Sequence, residues 1–216
     1  SAPEFVTSLA ATLEGAPGLA TGNIVGSNIA NSLLILGVAA FMRPIVCTRA
    51  IIGRDGVTGV LAAAVFVALA MSGEITRWSG FVLLACLACY IGVTYRVERA
   101  ASRNAEANPP EPDELTRAPV RLPVALAQLA AGLLGVVVGA DLLVGGATGI
   151  ARALGVSDAL IGLTLVAVGT SLPELATCIM ASVRRQGDVA IGNVLGSNIF
   201  NVLAIGGGVS VISPLS

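Results

Sequence analysis

Histidine and lysine are absent from this chain, aromatic residues make up 4% of it, and charged residues only 12%. With 55% hydrophobic residues and a mean hydropathy of +0.89, so little charge excludes an ordinary soluble domain, whose surface needs more polar cover. The absence of histidine argues against zinc or copper and removes the His-Glu-x-x-His set that an intramembrane hydrolase could use. Cysteine is sparse as well. Cys86 and Cys89 form a Cys-x-x-Cys spacing, but they sit in an apolar run without a second pair, so they are expected to be buried small hydrophobes. Cys47 and Cys178 add no redox signal. No catalytic nucleophile set is present, so neither an enzyme nor a cofactor is expected.

Long apolar runs fill what remains. Residues 19–42, 56–73, 78–95, 122–140 and 189–216 contain no Asp, Glu, Lys or Arg, and each can cross a hydrocarbon core of about 30 Å as a helix. Residues 157–183 add a sixth span with Glu174 inside it, and residues 1–13 repeat the second half of that span. The expected fold is an all-α polytopic membrane protein. The chain starts inside a motif and without Met, which reads as a fragment with spans missing at both ends. Arginine sets the expected orientation: Arg43, Arg49, Arg54, Arg96, Arg99, Arg103, Arg117, Arg121, Arg184 and Arg185 fall in loops on one side, against Arg77 and Arg152 on the other. The rich side should be cytoplasmic, in a bacterial-type inner membrane, and the arginines are topology signals rather than a nucleic-acid surface.

The chain also repeats itself. Residues 1–38 align without a gap to residues 171–208, with 16 identities, including Ser-x-Pro-Glu and Gly-Asn-x-x-Gly-Ser-Asn-Ile-x-Asn in both copies. This is an internal duplication. The odd number of segment boundaries between the copies means that they cross in opposite directions, an inverted repeat of the kind found in secondary transporters. The expected organisation is a first repeat at 1–98, an acidic, proline-bearing linker at 99–121, and a second repeat at 122–216.

Each copy carries the residue types of a cation cage. Glu4 and Glu174 lie in apolar helices, where an ionised carboxylate needs a cation, a proton or water. Pro173 should kink its helix and free the carbonyl of Gly169. Thr170 and Ser171 stand four and three residues before Glu174, on its helical face, and Ser27/Asn31 and Ser197/Asn201 are paired four apart. Oxygen ligands of this kind suit calcium, which takes roughly six to eight of them, or sodium. Gly22 with Gly26, and Gly192 with Gly196, make small-xxx-small faces suited to close helix packing. Asp141, expected near a helix end, reads equally as a group that caps or orients a neighbouring helix and as a contact of the ion pathway, and is left outside the site.

GTSLPEL at 169–175, SAPEF at 1–5 and the two GNxxGSNI segments resemble the sodium/calcium exchanger family of the calcium:cation antiporters, prokaryotic type, over essentially the whole chain. GADLLVGGA at 139–147 looks like the first helix of a family half. The resemblance implies a ten-helix antiporter that moves calcium outward on a sodium gradient, with Glu4 and Glu174 central to the shared site. It further assigns Ser1, Thr170, Ser171, Ser27, Ser197 and the Ala167 carbonyl as ligands, with Asn31 and Asn201 facing the middle of the site. The Gly-Asn-x-x-Gly-Ser form differs from the Gly-Asn-x-x-Glu pattern of the proton-coupled branch and favours sodium.

Many family members carry aspartate where this chain has Asn201. Two glutamates alone leave two formal negative charges, which balance one calcium or two sodium ions, so the stoichiometry stays open. Antiport coupled to potassium or protons is the alternative within this class. A passive cation channel is the alternative outside it, disfavoured by inverted pairing and a midplane carboxylate site.

Overall fold

A computed structural model describes residues 1–15, 17–107, 122–156 and 158–215. Helix α1 covers Ala2–Leu13, α2 Pro17–Met42, α3 Arg49–Met71, α4 Arg77–Ala107 and α5 Leu122–Ala153. A broken helix follows, α6 over 158–170 and α7 over Leu172–Val183, and α8 spans Gly187–Ile212. Five helices are long and apolar enough to cross a membrane, or six if the bent α6–α7 pair is one span. Their outer faces carry Leu33, Val60, Leu126, Leu129 and Leu134, all exposed, as helices bounded by lipid rather than water require.

Two helices start or end elsewhere than the charge pattern suggests. Arg49 and Arg54 belong to α3 rather than to the loop before it, because Arg54 is held by Asp55 (2.7 and 3.0 Å) and Glu98 (2.8 Å). Helix α4 runs on to Ala107, and the rest of the expected linker, 108–121, lies outside the described residues. Asp141 lies well inside α5 and is exposed, so it caps no helix end. Cys86 and Cys89 are exposed rather than buried, since the helix face that carries them has no described neighbour.

Two apolar cores hold the bundle. Ile24, Phe66, Leu83, Ile199, Leu203 and Val209 join α2, α3, α4 and α8, while Ile35, Ala39, Cys178, Ala181, Ala190 and Val194 join the far end of α2 to α7 and α8. Close approach between α4 and α8 depends on Gly80 and Gly207: a Cβ on Gly80 would sit 2.8 Å from the Gly207 carbonyl, and one on Gly207 would sit 3.1 Å from the Gly80 carbonyl. Three of the expected glycines do not play this part. A Cβ at Gly22, Gly192 or Gly196 would meet nothing within 4 Å among the described residues.

The duplication is visible in backbone detail. At the end of α1, Glu14 and Gly15 donate to Ala10 and Thr12; at the end of α7, Arg184 and Arg185 donate to Met180 and Ser182, the same bonds 170 positions on. Gly15 and Arg185 both take the left-handed conformation, with φ of 77° and 60°. Helices α1 and α2 pack together as α7 and α8 do. Each long partner helix widens into a π-helical turn at its last motif asparagine, over Ala30–Ile35 in α2 and Asn201–Gly206 in α8. Such turns leave the regular hydrogen-bond ladder and re-aim the side chains they carry.

Candidate cation site

Proline places the glutamates. Pro3 and Pro173 occupy the first turns of α1 and α7, where a missing N–H costs nothing, behind Ser1 and Ser171 at the N-cap positions. Upstream of Ser171 the chain cannot continue straight, and segment Thr164–Thr170 meets Leu172–Val183 at 49°. The carbonyl left for side chains is not that of Gly169. Capping N–H groups at the break reach Val168 and Gly169, whereas the Ala167 carbonyl receives hydroxyls from Thr170 (3.2 Å) and Ser27 (3.4 Å). Thr170 is also 3.5 Å from Asn23 Oδ1.

Serine and glutamate pair across the repeats. The Ser171 hydroxyl donates to Glu4 Oε1 at 3.1 Å, and the Ser1 hydroxyl donates to Glu174 Oε1 at 3.3 Å. Helical spacing alone puts Ser171 beside Glu174, but the helix breaks at Ser171 and its hydroxyl turns to the other copy. Glu4 is fully buried and Glu174 nearly so, at 0% and 4% exposure.

Asparagine completes the arrangement. Asn31 Nδ2 donates to Asn198 Oδ1, and Asn201 Nδ2 donates to Asn28 Oδ1, both at 3.0 Å. With their amino groups committed, Asn31 and Asn201 are left with acceptors. Of the five buried side-chain oxygens without a hydrogen-bond partner among the described residues, four fall in two repeat-related pairs, Glu4 Oε2 with Glu174 Oε2 and Asn31 Oδ1 with Asn201 Oδ1; the fifth is Thr94 Oγ1. Buried acceptors are rarely left so, and a set of four calls for a cation or a proton. Ser27 is buried, and Ser197, its counterpart, is half-buried and lines a cavity of about 370 Å³ with Ser1, Asn193 and Phe200. No group of three or more His, Cys, Asp or Glu occurs among the described residues. Any ion held here therefore takes two carboxylates and otherwise neutral oxygens.

Four asparagines outside the expected set do the supporting. Asn23 Nδ2 donates to the Glu4 carbonyl (3.2 Å) and to Ser8 Oγ (2.9 Å). Asn193 Nδ2 donates to the Glu174 carbonyl (3.3 Å) and reaches Cys178 Sγ (3.6 Å). Asn28 and Asn198 hold the amides of Asn201 and Asn31. Their signal was in the sequence: both copies keep Gly-Asn and Ser-Asn in register.

Known proteins resemble this chain over nearly its whole length. A family model described as "Sodium/calcium exchanger protein" matches residues 1–96 and 124–216. The chain is 37% identical to the putative antiporter CaxA of Alkalimonas amylolytica, over 99% of this chain and 67% of that protein. Inner membrane protein YrbG of Escherichia coli is 35% identical over 99% and 66%, and the sodium/calcium exchanger MaX1 of Methanosarcina acetivorans is 32% identical over 100% and 71%. The chain thus spans about two thirds of the length of these relatives. Among solved structures, the sodium-calcium exchanger NCX_Mj soaked with sodium and strontium superposes with a TM-score of 0.75 at 35% identity, over 99% of this chain and 67% of that one.

Proposed function

The chain belongs to the sodium/calcium exchanger family, and from that premise we propose that it forms the ion-binding centre of an antiporter exchanging sodium for calcium by alternating access. One observation carries the reading: four buried oxygens without a hydrogen-bond partner, two from glutamates and two from asparagines, in pairs related by the duplication. Calcium offered this set finds charge balance from Glu4 and Glu174 and neutral ligation from Asn31, Asn201, Ser1, Ser27, Thr170, Ser171, Ser197 and the Ala167 carbonyl. Inverted repeats supply two arrangements of similar energy, because the contacts broken on one side have equivalents on the other. Arginine-rich loops would then face the cytoplasm.

Two sodium ions balance the same two carboxylates, so the bound states for calcium and sodium are electrostatically matched. Emptying the site leaves two buried charges close together, which disfavours crossing without cargo. That is the condition for exchange rather than leak. Calcium flux in vesicles carrying the full-length gene product, with sodium, potassium and proton gradients imposed one at a time, tests this directly. Uptake should follow the outward sodium gradient; uptake that ignores sodium and follows potassium or protons would replace the coupling ion, and flux with no counter-ion would replace the antiporter by a channel.

A further inference from the structure

The motif asparagines Asn28 and Asn198 are not in the ligand set, yet each accepts the amino group of an ion-facing amide across the repeat boundary, at 3.0 Å. We propose that Asn28 is a positioning residue that fixes which end of the Asn201 amide faces the ions, whereas Asn198, its counterpart, braces the Asn31 amide without fixing its sense. This rests on the ion site proposed above.

An amide side chain has a donor end and an acceptor end of nearly equal shape, so packing alone does not choose between them. A cation needs the oxygen. The choice is made by what the other end meets, and here the other end meets an oxygen of Asn28 or Asn198. Those amides must in turn be oriented. Asn28 Nδ2 donates to the backbone carbonyl of Asn198 at 3.4 Å, and a carbonyl accepts only, so Asn28 has one sense. Asn198 Nδ2 donates to the Ser32 hydroxyl at 2.9 Å, and a hydroxyl serves a donor or an acceptor equally well. The duplication explains the difference: position 202, the counterpart of Ser32, is Val202, which leaves Asn28 no hydroxyl and sends it to the backbone. The Asn28–Asn201 pair is therefore directed, while the Asn198–Asn31 pair keeps its sense only through the ion.

Both braces are accessible to substitution. Asn28, Ser32 and Asn198 border a cavity of about 410 Å³ whose remaining lining is mostly apolar, so trimming either asparagine removes a polar end at an open edge rather than from a packed core. Replacing Asn28 by alanine frees the Asn201 amide to turn its amino group toward the ions. Aspartate at the same position still accepts from Asn201 and cannot donate, so it preserves the sense.

The measurement is calcium uptake by the full-length gene product in sodium-loaded vesicles, read as half-saturating calcium and as maximal rate. Loss of one oriented hydrogen bond predicts a rise of about tenfold in half-saturating calcium for Asn28→Ala, with the maximal rate within about twofold. Asn28→Asp should stay at or below the wild-type value. Asn198→Ala should shift less than Asn28→Ala, because the Asn31 amide is already reversible. Equal shifts for Asn28→Ala and Asn28→Asp, or no shift for Asn28→Ala, would overturn the proposal. A tenfold rise for Asn28→Asp would do so even if the alanine variant failed to fold. Sodium-dependent uptake by the wild type keeps these outcomes separate from the antiporter reading, which falls only if that uptake is missing.

Discussion

The two copies of the motif present the same atoms toward the candidate site but hold them differently. In the first copy Glu4, Asn23, Ser27 and Asn31 are all at 0% exposure, and Asn23 is anchored by a 2.9 Å hydrogen bond to Ser8. In the second copy Asn193 and Ser197 are only half-buried, and Asn193 meets a sulfur at 3.6 Å, because Cys178 stands where the first copy has Ser8. What is duplicated is the inward set of oxygens; what has diverged is the layer behind it. Under the proposed alternating access the site needs matched ligands, whereas its supports are free to differ so long as they deliver those ligands to the same place.

The sharpest way to break this comparison is to neutralise the glutamates separately. Glu4→Gln and Glu174→Gln each leave a single carboxylate for a divalent ion, so each should reduce sodium-dependent calcium uptake by at least about a hundredfold, given the cost of an unbalanced charge in a buried site. Equal losses are expected. Normal uptake by either variant would remove that glutamate from the site. Aspartate substitution sharpens the comparison at the next scale. Asn201→Asp adds a third charge but loses the donor that reaches Asn28, and should preserve calcium transport while changing the charge moved per cycle, measured as current in an electrically clamped membrane. Asn31→Asp should act in the same direction with a smaller penalty in rate, since Asn198 can reverse and donate to it. A cycle charge unchanged in both would mean that neither position faces the ions.

Much of this was legible before any coordinates. Apolar runs located every span, because a helix in lipid has no alternative way to satisfy its backbone, but α3 starts 7 residues before its run and α4 and α5 extend 12 and 13 residues past theirs. Spacing within one helix misled where the helix breaks: Ser171 stands three before Glu174 yet bonds Glu4, and the carbonyl that takes side-chain hydroxyls is Ala167 rather than Gly169. Gly22, Gly192 and Gly196 meet no close neighbour among the described residues, because small residues permit close packing without requiring it. Asn23, Asn28, Asn193 and Asn198 were overlooked because their partners are a carbonyl or an amide on another helix, and no periodicity along one helix encodes that.

Smaller effects test the supporting layer. Replacing Asn23 by leucine removes bonds to the Glu4 carbonyl and Ser8 inside a fully buried setting, and should destabilise by about 1–3 kcal/mol, whereas Asn193→Leu, with its sulfur partner, should cost about 1 kcal/mol or less. Thermal unfolding in detergent, compared at fixed ion concentrations, reads the difference. Equal losses would mean that the divergence behind the two half-sites carries no energy.

The smallest effect lies at the helix ends. Gly15 and Arg185 close α1 and α7 with the same hydrogen bonds and the same left-handed turn, but only glycine takes that conformation without a clash at Cβ. Arg185→Gly should therefore stabilise the protein by roughly 0.5–1 kcal/mol, offset in part by the greater freedom of glycine in the unfolded chain. Gly15→Arg, the reverse exchange, should lower the unfolding temperature. If both substitutions shift stability in the same direction, the two helix ends are not equivalent, and the backbone symmetry between the copies stops at the candidate site.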